Sequence, residues 1–323
     1  MGRALASRPD VGVAVVTYRA GRLLDGCLPP FLASPLRPRV LVVDSGSDDD
    51  TVARARALGA EVRVIPRETF NHGLTREAAR RWLGTEIAVM VTPDVRPTGI
   101  EVLERLVAPI LRGEAAVAYA RQIARPDADP VERFGRDFAF PPEGGIRDRG
   151  SWARMGTAAH YCSDACCAWW QPALDAVGGF PPTLVSEETV AVVRLLERGY
   201  RVAYVAEAVV VHSHPSRLLA DFRRQFDVGL TRTLHARELL ARGGDEDRGR
   251  AYLRGLLARL AREEPAWIPY ALLHTALRYA GYRLGRTAAR WPRGLAARFS
   301  GQDYFWRSVH RERVLALAGG GEP

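Results

Sequence analysis

Short apolar runs alternate with segments of helical periodicity over the first 120 residues of the chain. The pattern predicts strands at 11–18, 39–43, 61–65, 86–91 and 116–120, and helices at 20–33, 49–58, 73–84 and 100–112. Alternation at this spacing is typical of βαβ units arranged around a mostly parallel sheet. The sequence therefore predicts an α/β fold with helices on both faces of a central sheet.

The pattern changes after residue 120. A long loop with a short helix near 131–137 is predicted at 125–150, and a strand at 160–170. Next come a helix at 187–198, strands at 201–205 and 208–212, and helices from 216 onward. In the last of these, an apolar stripe is expected to pack into the core; its members are Trp267, Tyr270, Leu273, Leu277 and Leu284. We expect a first domain at 1–240 and a helical extension at 241–323.

Composition narrows the class of protein. The 323 residues are 47% hydrophobic and 26% charged, which suits a globular protein. All basic side chains except histidine are arginines, and the net charge of +9 favours anionic partners. Aromatic residues are not interleaved with this charge, so we expect no nucleic-acid binding. The four cysteines lack zinc or disulfide spacing and are expected to be buried thiols in a reducing compartment.

No signal peptide or membrane-spanning run is visible in the sequence. We therefore expect a cytoplasmic protein. The basic, amphipathic C-terminal helices could dock on the anionic inner face of the cell membrane, form a homodimer interface, or cover the sheet.

The most informative segment is 40–51, VLVVDSGSDDDT. A buried strand ends on Asp44, a small-residue turn follows, and acidic residues begin a helix. Such an arrangement at the carboxyl edge of a parallel sheet builds a nucleotide pocket. The first strand ends nearby on Thr17 and Tyr18. The alternative is an ordinary α/β turn with a solvated carboxylate.

Three further segments carry polar groups at the ends of predicted elements. In 70–79, FNHGLTREAA, the helix start with Asn71, His72 and Arg76 suits an anion, although it could be an ordinary capped helix. The strand in 89–95 ends on Asp94, a residue that is also common in turns. Glu187 and Glu188 begin a helix, where carboxylates are favoured by the helix dipole whether or not they act chemically.

Together these motifs resemble glycosyltransferases of family 2, which have the GT-A fold. FNHG followed by Thr-Arg, Thr92-Pro93-Asp94, the segment YARQIARPDADPVERF at 119–134 and VVVHSH at 209–214 are similar to the bacterial rhamnosyltransferase-like branch. The resemblance covers nearly the whole chain. It implies an inverting transfer of a sugar, with dTDP-rhamnose as the suggested donor, to a glycan or lipid-linked acceptor hydroxyl. Other dTDP- or UDP-sugars remain open as donors.

The resemblance also implies roles for individual residues. Glu188 would be the catalytic base, and Asp94 with His212 would hold Mg²⁺ or Mn²⁺ against the donor diphosphate. The substrate-binding residues would be Thr17, Tyr18, Asp44, Gly46, Asn71, His72, Gly73, Arg76, Arg121, Gln122 and Glu187. The chain departs from the branch at Glu77, Pro93, Glu188, Val190 and Ala191. These departures leave open a relative that binds sugar nucleotides without catalysis.

Overall fold

The computed structural model describes residues 10–241 and 245–317. The opening segment 1–9, which belongs to the region where the sequence predicts no signal peptide, and the glycine-rich tail at 319–321 lie outside these ranges. Within the described residues, no helix is both long enough and apolar enough to cross a membrane. All four cysteines are free and buried, as predicted.

A nine-stranded sheet forms the centre of the described structure. Its strands are β1 Val11–Thr17, β2 Arg39–Asp44, β3 Glu61–Val64, β4 Ile87–Val91, β5 Arg96–Pro97, β6 Val117–Ile123, β7 Gly145–Arg147, β8 Cys166–Trp170 and β9 Val202–Val211. The order is β3-β2-β1-β4-β8-β6-β9-β5, with β7 also paired to β9. Only β5, β7 and β8 run against the common direction. The predicted mostly parallel sheet is thus confirmed.

The helices are α1 Gly21–Leu32, α2 Thr51–Ala57, α3 His72–Leu83, α4 Val102–Leu111, α5 Pro130–Ala139, α6 Ser151–Met155, α7 Gln171–Ala176, α8 Glu187–Glu197, α9 Leu218–Leu234, α10 Ala236–Leu239, α11 Glu246–Glu263, α12 Ile268–Thr287, α13 Arg293–Phe299, α14 Asp303–Arg307 and α15 Arg311–Ala316. Short 3₁₀ turns occupy Arg67–Thr69, Gly156–His160, Pro265–Trp267 and Ala288–Arg290.

Helices cover both faces of the sheet. On one face, α1 and α4 pack against β1, β2 and β4 around Phe31 and Leu103. On the other face, α3, α7 and α8 enclose Trp169 and Phe180. Because both faces are covered, the central strands read as continuous apolar runs rather than as alternating ones. This arrangement leaves the carboxyl ends of the parallel strands at one edge, where the polar residues of the motifs lie.

The C-terminal helices pack through small residues. A Cβ added to Gly285 of α12 would lie 2.0 Å from the Phe226 oxygen of α9, and one added to Gly229 of α9 would lie 2.2 Å from the Tyr282 oxygen. Glycine therefore permits the two helix backbones to approach closely. Because α9 belongs to the predicted first domain and α12 to the predicted extension, the two regions share an interface. The boundary at residue 240 stays a prediction.

Three details differ from the sequence-based expectations. The strands predicted at 201–205 and 208–212 form one strand, β9, whose pairing with β6 shifts register at Ala120 and Arg121. The strand predicted from residue 160 begins only at 166, after a 3₁₀ turn. The prediction of a buried stripe on α12 was wrong for Leu273 and Leu284, which are 50% and 37% exposed. They point outward because the helix turns its glycines toward α9.

Candidate active site

The ends of β1 and β2 are joined by a buried hydrogen-bond network around Asp44. One carboxylate oxygen of Asp44 accepts from the Thr17 hydroxyl at 3.1 Å and the Ser47 hydroxyl at 2.6 Å, and the other accepts from the Ser47 amide at 2.8 Å. Gly46, at φ +73°, permits the tight turn between them. Asp44 is fully buried, so its first role is to fix this turn. Oδ2 accepts one hydrogen bond and so retains one lone pair.

An arginine that the motifs did not single out lies beside this turn. The Arg67 guanidinium donates to the Ser45 hydroxyl at 3.0 Å and stacks over the Tyr18 ring at 3.6 Å. Tyr18 remains 37% exposed. Thr17, Tyr18, Asp44 and Gly46 therefore converge as predicted, with Arg67 added to them.

The start of α3 is held against the segment that precedes α8. The Asn71 side chain accepts from the Leu74 amide at 3.2 Å, capping the helix, and its amide donates to the Thr183 oxygen at 2.7 Å. A Cβ on Gly73 would lie 1.8 Å from the Pro181 oxygen. Asn71 and Gly73 thus fix the position of α8 relative to α3.

His72, the neighbour of Asn71, is a neutral imidazole near neutral pH. Burial and the charges of Arg76, Arg224 and Arg67 lower its pKa to about 3. Its Nδ1 lies 3.4 Å from an Arg76 nitrogen. His72 can therefore offer a lone pair or a neutral N–H to a ligand, but it supplies no positive charge.

A buried acidic cluster surrounds Arg76. The Arg76 guanidinium forms an ion pair with Glu187, and its Nε lies 3.6 Å from an Asp164 oxygen. Glu188 completes the group, and one ligand atom from each of the three carboxylates lies within 4.8 Å of the others. Asp164 also accepts from the Trp169 indole at 2.9 Å. The arrangement places three acidic groups around one guanidinium group.

The burial and proximity of these carboxyl groups change their pKa values. Burial, with the nearby Asp164 charge, raises the pKa of Glu188 to about 7, although Arg76 acts in the opposite direction. Burial likewise raises the pKa of Asp164. Two such carboxyl groups titrate as a coupled pair. Glu188 is less buried than Glu187, and Glu187 is engaged by Arg76. Glu188 is consequently the member able to exchange a proton with a ligand near neutral pH.

A second group lies where β4 and β9 end. The Nε2 atoms of His212 and His214 each lie 3.3 Å from Oδ2 of Asp94. Burial would raise the pKa of Asp94, but hydrogen bonding and charge from His212, with help from Thr92 and His214, hold it well below its usual range. The other carboxylate oxygen, Oδ1, is buried and has no hydrogen-bond partner among the described residues. The predicted proximity of Asp94 and His212 is present, and His214 joins them.

Gln122 contacts His212 at Nδ1, the ring nitrogen that does not face Asp94. Arg136 donates to the Gln122 oxygen at 2.7 Å, and because arginine is only a donor, that atom must be the oxygen of the amide. His212 Nδ1 lies 2.8 Å from the same oxygen and must therefore carry the hydrogen. Nε2 then faces Asp94, and its lone pair would become available to a cation that replaced the proton between them. Oxygen and nitrogen acceptors converging in this way fit a divalent cation such as Mn²⁺.

The remaining predicted residue, Arg121, lies at the register shift between β6 and β9. The Arg121 Nε is buried, and no hydrogen-bond partner for it lies within residues 10–241 and 245–317. Apart from Arg121, the predicted site residues fall into three groups: the turn around Asp44, the Arg76 cluster and the Asp94 cluster. Sequence reasoning missed Asp164 and Arg67. Asp164 lies in a segment without periodicity, Arg67 lies between the predicted strand at 61–65 and the motif at 70–79, and only the resulting fold brings them to the site.

The family model of "Glycosyl transferase family 2" matches residues 12–178, slightly more than half of the chain. The chain belongs to this family, as the sequence motifs indicated, and it is a glycosyltransferase. The matched segment contains Asp44, Arg76, Asp94 and Asp164, whereas Glu188 and His212 lie beyond it.

Two curated relatives extend the similarity along the chain. The O-antigen chain rhamnosyltransferase RfbN of Salmonella typhimurium is 28% identical over 303 residues, covering 93% of this chain and 96% of that protein. The O-antigen chain rhamnosyltransferase WbaN of Salmonella anatum is 28% identical over 305 residues, covering 93% and 97%. The resemblance to the rhamnosyltransferase-like branch is thus confirmed.

Solved structures confirm the GT-A fold. The mannosyltransferase PcManGT from Pyrobaculum calidifontis, in complex with GDP-Man and Mn²⁺, is similar with a TM-score of 0.51 and 17% identity, covering 98% of this chain and 87% of that one. TarS 1–349 of S. aureus, in complex with UDP-GlcNAc, has a TM-score of 0.50 and 14% identity, with coverage of 87% and 91%.

Proposed function

We propose that the protein transfers a sugar, with inversion, from a nucleoside diphosphate donor to a hydroxyl group of a glycan or lipid-linked acceptor. Rhamnose is the proposed sugar, because two relatives that match almost the whole chain are named O-antigen chain rhamnosyltransferases. The observation that carries the proposal is the Asp164–Glu187–Glu188 cluster, in which one carboxyl group has a pKa of about 7.

In the proposed reaction, Glu188 accepts the proton of the acceptor hydroxyl as its oxygen attacks the anomeric carbon. A general base works best when its pKa lies near the working pH. Arg76 holds Glu187 and so fixes the first turn of α8, which carries Glu188. The resemblance to family 2 implies an Asp at this position; Glu188 adds a methylene group, and the cluster holds this longer side chain beside Asp164.

We propose that Asp94 and His212 hold Mg²⁺ or Mn²⁺, with His214 as a further ligand. Such an ion, when bound, screens the diphosphate charge and assists departure of the nucleotide. Gln122 acts behind His212 by fixing its Nδ1 hydrogen. Two imidazoles beside one carboxylate favour Mn²⁺ over Mg²⁺, since nitrogen ligands suit transition metals better.

Donor recognition is assigned to the remaining groups. Thr17, Tyr18, Asp44 and Gly46 form the base and ribose side. Asn71, His72, Gly73 and Arg76, with Glu187, shape the α3 side of the pocket. Arg121 is proposed to contact the donor through its guanidinium, whose Nε is without a partner.

A donor panel tests the proposal. Purified protein is incubated with Mn²⁺, an oligosaccharide acceptor panel and dTDP-rhamnose, UDP-glucose or GDP-mannose. Transfer from dTDP-rhamnose is expected, and the anomeric configuration of the product, read by NMR, should be opposite to that of the donor. Retention of configuration would contradict the proposed inversion. Transfer only from another sugar nucleotide would contradict rhamnose as the transferred sugar.

We also propose that the protein works at the cytoplasmic face of the membrane as a peripheral protein. Residues 265–302 contain six arginines and neither Asp nor Glu. Along α12, Leu272 and Tyr279 are 46% and 52% exposed, next to the exposed Leu273. Apolar side chains flanked by arginine suit an anionic lipid surface.

Vesicle sedimentation tests this surface. Wild type should bind vesicles that contain an anionic lipid, with affinity falling as salt rises, and should ignore purely zwitterionic vesicles. Leu272→Glu should weaken binding, whereas Leu23→Glu, at an exposed leucine on α1, is the matched control. If Leu272→Glu instead abolishes self-association without changing vesicle binding, α12 is a homodimer interface.

A further inference from the structure

Arg67 carries a positive charge that no described carboxylate neutralises. Its only hydrogen bond to a side chain in the described structure is to the neutral Ser45 hydroxyl. Two other arginines near the strand ends, Arg19 and Arg76, form ion pairs with Asp48 and Glu187 respectively. An unpaired guanidinium at the carboxyl edge of β1 and β2 has donors available for a ligand, because Ser45 uses only one of its five N–H groups.

Three aromatic rings surround this guanidinium. Its central carbon lies 3.6 Å from the centroid of Tyr18, 5.1 Å from that of Tyr304 and 5.5 Å from that of Phe70. The rings restrict the side chain while leaving its in-plane donors free to bond. Such restriction reduces the entropy lost when a ligand binds.

Tyr304 comes from the far end of the chain. It belongs to residues 303–309, here called the C-terminal strap. Two hydrogen bonds join the strap to the Arg67 segment. The Val309 amide donates to the Glu68 carbonyl oxygen at 3.1 Å, and the Ser308 hydroxyl donates to the Phe70 carbonyl oxygen at 3.3 Å. The Tyr304 ring meets Phe70 edge-on, with centroids 4.8 Å apart.

The strap is anchored on its other side by a hydrophobic cluster. Phe305 is buried with Leu184 and Phe226. Leu184 lies just before α8, so the same cluster borders the segment that leads to Glu188. The strap therefore bridges the Arg67 segment and the core beneath α9.

We propose that Arg67 is a nucleotide-binding residue and that the C-terminal strap is part of the nucleotide site, with Tyr304 as the residue that positions Arg67. This inference rests on the proposed function, since it takes the ligand to be a nucleoside diphosphate. Arg67 would donate to acceptor oxygens of that ligand, either nucleobase carbonyls or phosphate oxygens. Charge-assisted hydrogen bonds of this kind are the strong ones.

Calorimetry with dTDP, UDP, thymidine and uridine tests the proposal on the full chain. Arg67→Gln should weaken dTDP binding about 10- to 100-fold, the range for loss of a charged hydrogen bond. Tyr304→Leu should weaken it about 3- to 10-fold by freeing the guanidinium, a smaller loss than that of the donor itself. Tyr304→Phe should bind like wild type, because the Tyr304 hydroxyl has no hydrogen-bond partner within the described residues.

Arg63→Gln is the matched control. Its guanidinium also lies over an aromatic ring, that of Trp82 at 4.8 Å, but on the exposed β3 strand rather than in the site. It should leave nucleotide binding unchanged. Loss of affinity for both nucleosides and diphosphates in Arg67→Gln identifies a nucleobase contact, and loss for diphosphates alone identifies a phosphate contact.

Hydrogen exchange gives a second readout. Saturating dTDP should slow amide exchange in the strap of wild type and slow it less in Arg67→Gln. The proposal is overturned if folded Arg67→Gln binds every ligand like wild type, or if Tyr304→Phe loses as much affinity as Tyr304→Leu. Wild-type protein that binds no nucleotide would overturn the proposed function as well, whereas normal wild-type binding with an unaffected Arg67→Gln removes this inference alone.

Discussion

Two acidic groups of similar size lie in this enzyme and differ in what surrounds them. Asp94 is accompanied by two imidazoles, and its pKa is held below the usual range despite burial. Glu188 is accompanied by two further carboxyl groups and one arginine, and burial with Asp164 raises its pKa to about 7. One environment keeps a carboxylate charged, and the other lets a carboxyl group take up a proton.

The difference shows how neighbours assign roles to the same functional group. A permanently ionised carboxylate with nitrogen ligands suits a divalent cation, whereas a carboxylate near its own pKa suits proton transfer. Burial raises the pKa of Glu188 and lowers that of His214, whereas the charge of Arg224 on α9 lowers the pKa of both groups.

The largest effect is expected from removing the proton acceptor. Glu188→Gln should reduce the rate of sugar transfer by about 10²–10⁴ while leaving donor affinity near wild type, because general-base catalysis contributes in this range. Steady-state kinetics and calorimetry measure the two quantities. A wild-type rate in Glu188→Gln would place the base elsewhere.

Glu187→Gln is the informative counterpart. Because it breaks a buried ion pair, it should lower the free energy of unfolding by about 3–5 kcal/mol. Denaturant unfolding should show this loss, while Glu188→Gln should not. Equal stability of the two variants would mean that Arg76 does not distinguish Glu187 from Glu188.

An intermediate effect is expected from Gln122, which supports His212 in the Asp94 cluster. Gln122→Met removes the acceptor that fixes the His212 Nδ1 hydrogen and should weaken Mn²⁺ binding about 10- to 100-fold, as is typical when the support of a metal-bound histidine is lost. Gln122→Glu retains an acceptor and is the conservative control. Mn²⁺ affinity that is equal in all three proteins would exclude a positioning role for Gln122.

The smallest effect concerns pH. Glu188 must be ionised to accept a proton, so kcat/KM should rise with pH through about 7 and be lost as pH falls below it. Asp164→Asn removes a charge that raises the pKa of Glu188 and keeps an acceptor for the Trp169 indole. In Asp164→Asn, the rise of kcat/KM with pH should therefore occur at lower pH than in wild type. A shift to higher pH would mean that Asp164 does not raise the pKa of Glu188.

Much of the fold was predictable because it depends on local patterns. Buried strands such as β1, β2 and β4 are apolar between their ends, and the helices that follow them begin at recognisable turns. The sequence-based prediction divided β9 in two, because the exposed Glu207 interrupts its apolar run without ending the strand. Glu207 lies where the pairing with β6 shifts register, and a polar residue in such a bulge produces the same local signal as a short turn.

The candidate site was predictable only in part. Asp94 and Glu188 end a strand and begin a helix, so the topology places them at one edge. Asp164 lies in a cysteine-rich segment without periodicity, and its effect on Glu188 depends on burial that no local pattern reports. The contact between Arg67 and Tyr304 joins residues 237 positions apart. Such a distant pairing follows only from the complete packing of the C-terminal helices.

Mn²⁺ titration followed by electron paramagnetic resonance, in the presence of dTDP, tests the division of roles most directly. Wild type and Glu188→Gln should bind one Mn²⁺ with similar affinity, and Asp94→Asn should weaken that binding more than about 10²-fold, beyond the loss expected for a supporting residue. Loss of Mn²⁺ binding in Glu188→Gln, with normal binding in Asp94→Asn, would show that the cation belongs to the three-carboxylate cluster and would contradict the account.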